Sequence, residues 1–115
     1  KVYRVLSTGG EVLALKRIRL EWRDPKCVAS FTNEIQLMER LRGNPSIVTL
    51  IASEVDLSKR TIHMVMEAGE TDLNGVLQRH QAANSLSVNF VRLAWQQMLD
   101  AVQVIHEARI VHGDL

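Results

Sequence analysis

The chain has 115 residues, a length that allows one ordinary domain burying roughly two-thirds of its unfolded surface. Its hydrophobic content of 46% and charged content of 23% are typical of a globular protein. The net charge of +1 creates no strong field, which argues against nucleic acid or a membrane surface as an electrostatic partner. The only cysteine, Cys27, excludes an internal disulfide and gives no support for secretion.

The termini and the absence of targeting signals bear on where the protein works. No apolar run is long enough to span a bilayer, and the first residues lack a signal-peptide pattern. The chain starts at Lys1 without an initiator Met, and both ends look like cuts through a larger protein. We therefore expect a soluble intracellular fragment.

The first predicted elements form a β-hairpin. Residues 1–6 and 11–19 are rich in β-forming side chains, and the turn-forming segment 7–10 separates them. Because strand side chains alternate between faces, Ala14 and Lys16 are expected on the same face of the hairpin.

A helix is predicted next, starting at Asp24-Pro25 because proline suits the first helical position. It ends near Gly43. Its apolar stripe, at helical spacing, consists of Phe31, Ile35, Met38 and Leu41. The stripe predicts that one side of this helix packs against the sheet, with Met38 in the core, as is also expected of Leu50.

Two further strands, 47–55 and 60–66, are predicted before a break at 67–71. Asp72 or Thr71 is a candidate cap for a short helix whose apolar side holds Leu73, Val76 and Leu77. The polar segment 78–86 is predicted to be a loop.

A long helix follows, opened by Ser87 or Asn89 and ending near Glu107. Its apolar stripe consists of Val91, Trp95, Met98, Val102 and Ile105. The apolar pair Ile110-Val111 after it is predicted to be a strand. The order of elements is thus sheet-rich before the break at 67–71 and helical after it.

Three short motifs stand in a suggestive order along the chain. They are Leu13-Ala14-Leu15-Lys16, then Asn33-Glu34-Ile35, and finally His112-Gly113-Asp114-Leu115. Together they resemble signatures of the eukaryotic protein-kinase fold. The resemblance implies an α+β fold with a partial N-lobe at 1–66, a hinge at 67–71 and an incomplete C-lobe at 72–115. The N-lobe would be an antiparallel sheet with one main helix.

The resemblance also implies catalytic roles for three residues. Lys16 would hold the α- and β-phosphates of ATP, and Glu34 would pair with that lysine. Asp114 would orient the hydroxyl of a protein substrate and accept its proton. ATP and Mg²⁺ are the implied cofactors, with the metal ligands beyond this chain. The histidines show no metal-ligand spacing, so no metal site is predicted within it.

A nucleotide pocket is implied in the same way. Val2 and Ala14 would cover the adenine ring from above, and Leu73 or a later residue would lie below it. Met66 would be the gatekeeper, and Asp72 would lie near the ribose or the peptide. The backbone of the hinge would bond the adenine edge, through Glu67, Ala68 and Gly69.

A closer likeness is to the monopolar-spindle dual-specificity kinases. It covers nearly the whole chain and is strongest in two stretches: residues 64–69 with the Asp72-Leu73-Asn74 helix start, and residues 110–115. This likeness implies transfer of phosphate to Ser/Thr, and in the dual-specificity case Tyr, of proteins. Kinetochore or spindle proteins are the implied partners.

Departures from the pattern leave other functions open. Most of the glycine-rich loop and everything after Leu115 are missing, and Gly113 replaces the arginine common in kinases. We therefore expect the 115-residue fragment to be inactive by itself. The alternatives are a pseudokinase that serves as a scaffold or binding module, and a kinase-like small-molecule phosphotransferase.

Overall fold

A computed structural model of the chain describes residues 1–20 and 25–113, with side chains from residue 28 onward in the second range. Its elements in chain order are β1 (Val2–Leu6), β2 (Val12–Arg19), α1 (Pro25–Arg40), β3 (Leu50–Asp56), β4 (Thr61–Glu67), α2 (Leu73–Ala82) and α3 (Val88–Glu107). The chain forms two compact units, Lys1–Ala68 and Gly69–Leu115. The division falls inside the segment 67–71, at which the sequence changes from sheet-rich to helical.

The first unit is built on a four-stranded antiparallel sheet in the order β1-β2-β4-β3. The predicted hairpin of β1 and β2 is confirmed. Its turn is closed by Ser7, whose hydroxyl oxygen accepts a hydrogen bond from the backbone N–H of Glu11 at 3.0 Å. Gly10 adopts a φ of +86°, a conformation that glycine reaches without a steric cost.

The core of this unit lies between α1 and one face of the sheet, here called the inner face. Ile35 of α1 packs with Leu50, Ile62 and Met64, each of which is at most 7% exposed. Phe31 and Met38 pack against the same cluster, as the apolar stripe of α1 predicted. Burial of these side chains therefore fixes which face of the sheet α1 covers.

The second unit contains two helices with well-defined starts. Asp72 caps α2, since its carboxylate accepts a hydrogen bond from the Gly75 N–H at 2.7 Å. Ser87 caps α3 by accepting a hydrogen bond from the Phe90 N–H at 3.1 Å. In each case the structure selects one of the two caps proposed from the sequence.

Two of the sequence predictions in this unit are wrong. The segment 78–86 is not a loop throughout, because α2 continues to Ala82. Its residues Gln78 to Ala82 are mostly good helix formers, so a helix that is polar on most sides still extends through them. Residues 110–113 form no strand, and within the described ranges no strand pairs with them. The predicted helix-starting residue Asp24 lies outside the described residues.

Candidate functional site

Lys16 is positioned by strand geometry on the inner face of the sheet. It lies in β2, opposite Val2 of β1 and Met64 of β4. Met64 is fully buried against α1, so alternation along β2 directs Lys16 toward the helix side. The aliphatic part of the side chain lies beside this apolar surface, while the ammonium group reaches beyond it.

Glu34 meets Lys16 from α1. The Lys16 Nζ donates a hydrogen bond to the Glu34 Oε1 at 2.6 Å, and the two side chains are 31% and 38% exposed. Ion pairs with this much exposure stabilise a fold by only about 0.2–1 kcal/mol. The main consequence of the pair is therefore positional, since it holds an ammonium group at a defined place on a rigid strand.

Small apolar side chains share the inner face with Lys16. Val2 is directly across from it and is 64% exposed. Ala14 precedes it by two residues on the same strand and lies opposite Met66 of β4. Met66 is half-buried and packs against the core cluster. The arrangement places an apolar surface suited to a planar ring beside a cation suited to phosphate.

The end of β4 is fixed by a reciprocal contact that the sequence gave no reason to expect. The Thr49 N–H donates a hydrogen bond to the Glu67 Oε1 at 2.9 Å, and the Glu67 N–H donates to the Thr49 carbonyl oxygen at 3.1 Å. The carboxylate of Glu67 thus anchors the chain entering β3. Ala68, the last residue of the first unit, is half-buried.

The other predicted site residues belong to the second unit or to undescribed positions. Gly69 is exposed, Leu73 is 43% exposed at the start of α2, and Asp72 is engaged as the α2 cap. Asp114 lies outside the described residues. The structure therefore brings together five of the predicted residues, all in the first unit: Val2, Ala14, Lys16, Glu34 and Met66.

Metal-binding clusters and membrane-spanning helices are both absent from the described ranges. No group of three or more His, Cys, Asp or Glu side chains in residues 1–20 and 28–113 is arranged to hold a metal ion. No helix in the described part of the chain has the length and apolarity needed to cross a membrane.

A lysine on a sheet strand, paired with a glutamate on the adjoining helix, is a defining arrangement of one class of phosphotransferase. The family model for the protein kinase domain matches residues 1–115 of this chain. The chain belongs to the protein kinase domain family.

Comparison with individual relatives shows to which protein kinases the chain is similar. The chain is 48% identical over 115 residues to the probable serine/threonine-protein kinase mps1 of Dictyostelium discoideum. It is 42% identical over 115 residues to the serine/threonine-protein kinase mph1 of Schizosaccharomyces pombe. It is 32% identical over 115 residues to the dual specificity protein kinase TTK of Mus musculus. The predicted likeness to the monopolar-spindle kinases is thereby confirmed.

The matches span nearly all of this chain but only a small part of the length of each relative. They cover 100%, 99% and 100% of this chain, and 12%, 17% and 13% of the three relatives. Protein kinases use ATP with a divalent metal ion and act on proteins. The Lys16 ammonium group and the apolar surface of Val2 and Ala14 have the chemistry that a nucleotide requires.

Proposed function

We propose that the protein containing this chain transfers the γ-phosphate of ATP to Ser/Thr, and also Tyr, hydroxyls of other proteins. The observation that carries the proposal is the 2.6 Å ion pair between Lys16 and Glu34 on the inner face of the sheet. Membership of the protein kinase domain family and the similarity to mps1-type and dual specificity kinases support it.

Lys16 and Glu34 act in this proposal as a pair. The ammonium group of Lys16 binds the α- and β-phosphates of ATP, and the carboxylate of Glu34 holds that group in place. Catalysis of this kind depends on positioning and on stabilisation of charge. A cation fixed before the nucleotide arrives needs no reorganisation during transfer, so the pre-formed pair favours the reaction.

The remaining assignments complete the nucleotide and substrate sites. Val2 and Ala14 cover the adenine ring, Met66 limits the depth of its pocket, and the backbone of residues 67–69 bonds its edge. Asp114 orients the substrate hydroxyl and accepts its proton. Mg²⁺, when bound with the nucleotide, neutralises charge on the phosphates, and its protein ligands are assigned outside this chain.

The cellular setting belongs to the same proposal. We infer an intracellular, nuclear or cytoplasmic protein that acts on kinetochore or spindle proteins. The support is the likeness of residues 64–69 and 110–115 to the monopolar-spindle family, together with the similarity to mps1-type relatives.

Replacing Lys16 by Met in the whole protein tests the proposed chemistry. The variant retains the aliphatic chain but loses the cation, so phosphate transfer from labelled ATP to a Ser/Thr peptide mixture should fall by at least about 100-fold. Circular dichroism and thermal unfolding should change little, since the ion pair is partly exposed. The matched control is Arg42→Met, which removes an exposed cation in the turn after α1.

The outcomes separate the candidate functions. Transfer that survives in Lys16→Met contradicts the assignment of Lys16, and so does an equal loss of transfer in Arg42→Met. Nucleotide binding without transfer by the unaltered protein favours a scaffold of the pseudokinase type. Transfer to small metabolites but not to peptides favours a small-molecule phosphotransferase.

A further inference from the structure

A basic cleft lies on the face of the sheet opposite the Lys16–Glu34 pair, here called the outer face. Its volume is about 360 Å³, and it is lined by Arg17, Arg19, Leu20, Lys59, Arg60 and Thr61. A smaller depression of about 200 Å³ shares Arg17 and Arg19 with it and adds Lys1. Most of the lining side chains are cationic, although the whole chain carries a net charge of only +1. This local concentration of charge is therefore a property of the fold.

The sheet register explains why these cations converge. Arg17 and Arg19 alternate along β2 with the inner-face residues Lys16 and Ile18, so they project to the outer face. Arg19 is paired with Thr61 at the start of β4. The Leu20 N–H donates a hydrogen bond to the Arg60 carbonyl oxygen at 2.9 Å, which holds the end of β2 beside the β3–β4 turn.

The two arginines on β2 are not paired with carboxylates of the described residues. Neither Arg17 nor Arg19 forms an ion pair within that part of the chain. The Arg17 guanidinium carbon lies 5.6 Å from the centre of the Tyr3 ring, a contact that steadies the side chain and leaves its charge uncompensated. Lys59 pairs with Asp56 at 3.2 Å, yet its side chain is 79% exposed. Arg17 and Arg19 are thus available for an anion.

Thr61 supplies an independent indication that a ligand belongs here. Its hydroxyl oxygen is buried and has no hydrogen-bond partner among the described residues. A buried hydroxyl without a partner is costly, and such groups are rare in folded proteins. An anion with several acceptor oxygens, bound between Arg17 and Arg19 after a small movement of these side chains, would accept this donor as well.

We propose that the cleft binds the phosphate group of a phosphorylated Ser or Thr side chain in a peptide segment of another protein. Such a group carries a charge of about −1.5 to −2 near neutral pH and three acceptor oxygens. Guanidinium groups match these oxygens in charge and geometry. The cleft offers two guanidinium groups, those of Arg17 and Arg19, on the single strand β2. Thr61 lies beside them on the neighbouring strand β4.

The surroundings of the cleft favour a single phosphate over a polyanion. Glu54 and Asp56 of β3 lie on the same outer face, opposite His63 and Thr61 respectively. Their carboxylates would repel the next phosphates of a nucleic acid or a sheet of anionic lipid headgroups. Repulsion by these carboxylates therefore disfavours a polyanion more than it disfavours a single phosphate.

The site is physically separate from the proposed nucleotide site. Lys16 and Glu34 lie on the inner face of the sheet, and Arg17 and Arg19 lie on the outer face. The proposal therefore does not rest on the transferase function. A nucleotide-binding test and a phosphopeptide-binding test can fail independently of each other.

Fluorescence anisotropy with the whole protein tests the site. The probe is a fluorescein-labelled Gly-Gly-pThr-Gly-Gly peptide, compared with the same peptide without phosphate. A nonhydrolysable ATP analogue is kept in excess so that phosphate binding at a nucleotide site is blocked. The phosphorylated probe should bind at least about tenfold more tightly than the other, because charge-assisted hydrogen bonds replace neutral contacts.

The double variant Arg17→Ala/Arg19→Ala should bind the phosphorylated probe at least about tenfold more weakly. The control Arg42→Ala/Arg92→Ala removes two exposed arginines elsewhere and should bind as the unaltered protein does. Equal binding of the two peptides, or equal weakening by the two double variants, overturns the proposal. Binding of phosphatidylserine vesicles but not of the phosphorylated probe overturns it as well.

A second variant guards against a purely structural effect. Thr61→Val preserves the shape of the side chain and removes the unpartnered hydroxyl, so the melting temperature should stay the same or rise. The affinity for the phosphorylated probe should still fall about threefold to tenfold. Unchanged affinity in this variant would overturn the assigned role of Thr61 in binding phosphate. A lower melting temperature would show that the Thr61 hydroxyl has a hydrogen-bond partner in the folded protein, and would remove the observation from which that role was inferred.

Discussion

The position of a single ammonium group is the main chemical result at the scale of the residue. A lysine on a strand is ordinarily a solvated surface charge, but Lys16 is held by Glu34 at 2.6 Å. The neighbouring helix residue, Ile35, is only 7% exposed. Burial of Ile35 sets the rotation of α1, and that rotation brings the carboxylate of Glu34 to the lysine. A packing interaction thus fixes the geometry of a charged one.

Glu34→Gln separates this positional role from a stabilising role. Loss of the charge should change the free energy of unfolding by less than about 1 kcal/mol, because the pair is partly exposed. Phosphate transfer by the whole protein should fall by at least about tenfold, because the Lys16 ammonium group is no longer held in place. Urea unfolding and a transfer assay measure the two effects.

The control for this experiment is Glu39→Gln, which changes an exposed carboxylate near the end of α1. It should alter neither quantity. Equal losses of transfer in Glu34→Gln and Glu39→Gln would count against a specific role of Glu34.

Among the described residues, Asp56 is the one whose ionisation is most strongly tied to the fold. Hydrogen bonds from the Ser58 hydroxyl and from the Lys59 backbone, followed by the Lys59 ammonium group, hold the pKa of its carboxyl well below the usual range. The folded-state pKa is lowered, so the contribution to stability is complete above the unfolded-state value of about 3.9. It is lost as the pH falls below that value toward the folded-state pKa.

Asp56→Asn should therefore loosen the turn between β3 and β4 at neutral pH and have a smaller effect in acid. Hydrogen exchange of peptides covering 50–67 measures this in the whole protein, at pH 7 and at a series of values down to pH 3. The difference in protection between the variant and the unaltered protein should shrink across the acid end of the series. A difference that grows as the pH falls would contradict the assigned direction of the shift.

At the scale of the element, α2 shows how a cap and a candidate binding group can be the same residue. Asp72 uses its Oδ1 atom to bind the Gly75 N–H, which satisfies one of the unpaired donors at the start of the helix. The second carboxylate oxygen is the candidate for the predicted contact with the ribose or the peptide substrate. The residue pattern predicted the cap, the family resemblance implied the second contact, and the structure tests only the cap.

Substitutions at Asp72 distinguish the two roles. Asp72→Ala should destabilise α2 by about 0.5–2 kcal/mol, whereas Asp72→Ser retains a cap and should leave hydrogen exchange of α2 nearly unchanged. If the residue also contacts ribose, both variants should raise the KM for ATP by about fivefold, which corresponds to one lost hydrogen bond. An unaltered KM for ATP in Asp72→Ser would exclude the contact with ribose.

At the scale of the whole molecule, α3 leaves apolar side chains in contact with water. Its exposed residues include Trp95 at 61%, Leu93 at 59% and Leu99 at 49%. Exposed apolar patches of this kind promote association. Each such side chain forgoes about 1.5–3 kcal/mol of burial, against a typical domain stability of 5–15 kcal/mol.

The isolated 115-residue chain should consequently self-associate. Sedimentation velocity at several concentrations should show species larger than a monomer. Replacing Trp95 and Leu99, which are one helical turn apart, by Gln should reduce this association. A clean monomer over the concentration series would contradict the prediction.

Much of the fold was predictable because local signals and tertiary packing agree. The turn before Glu11, the stripe of Phe31, Ile35 and Met38 on α1, and the cap of α3 at Ser87 are each encoded within a few residues. The prediction failed at 78–82, since the polar composition of α2 masks its helix propensity. It also failed at 110–111, because an apolar pair forms a strand only when another strand offers its hydrogen bonds.

The sequence by itself identified the family, through motifs that resemble protein-kinase signatures and through the match of the protein kinase domain model over residues 1–115. The family resemblance predicted that Glu34 pairs with Lys16, but the residue pattern alone could not show the contact, since the two residues are 18 positions apart and an ion pair depends on how α1 packs against β2. Only the tertiary structure decided that contact, the anchoring of Thr49 by Glu67, and the gathering of Arg17, Arg19 and Thr61 at one cleft. The physical reason is shared by all three, because register and helix packing bring together side chains that no local pattern connects.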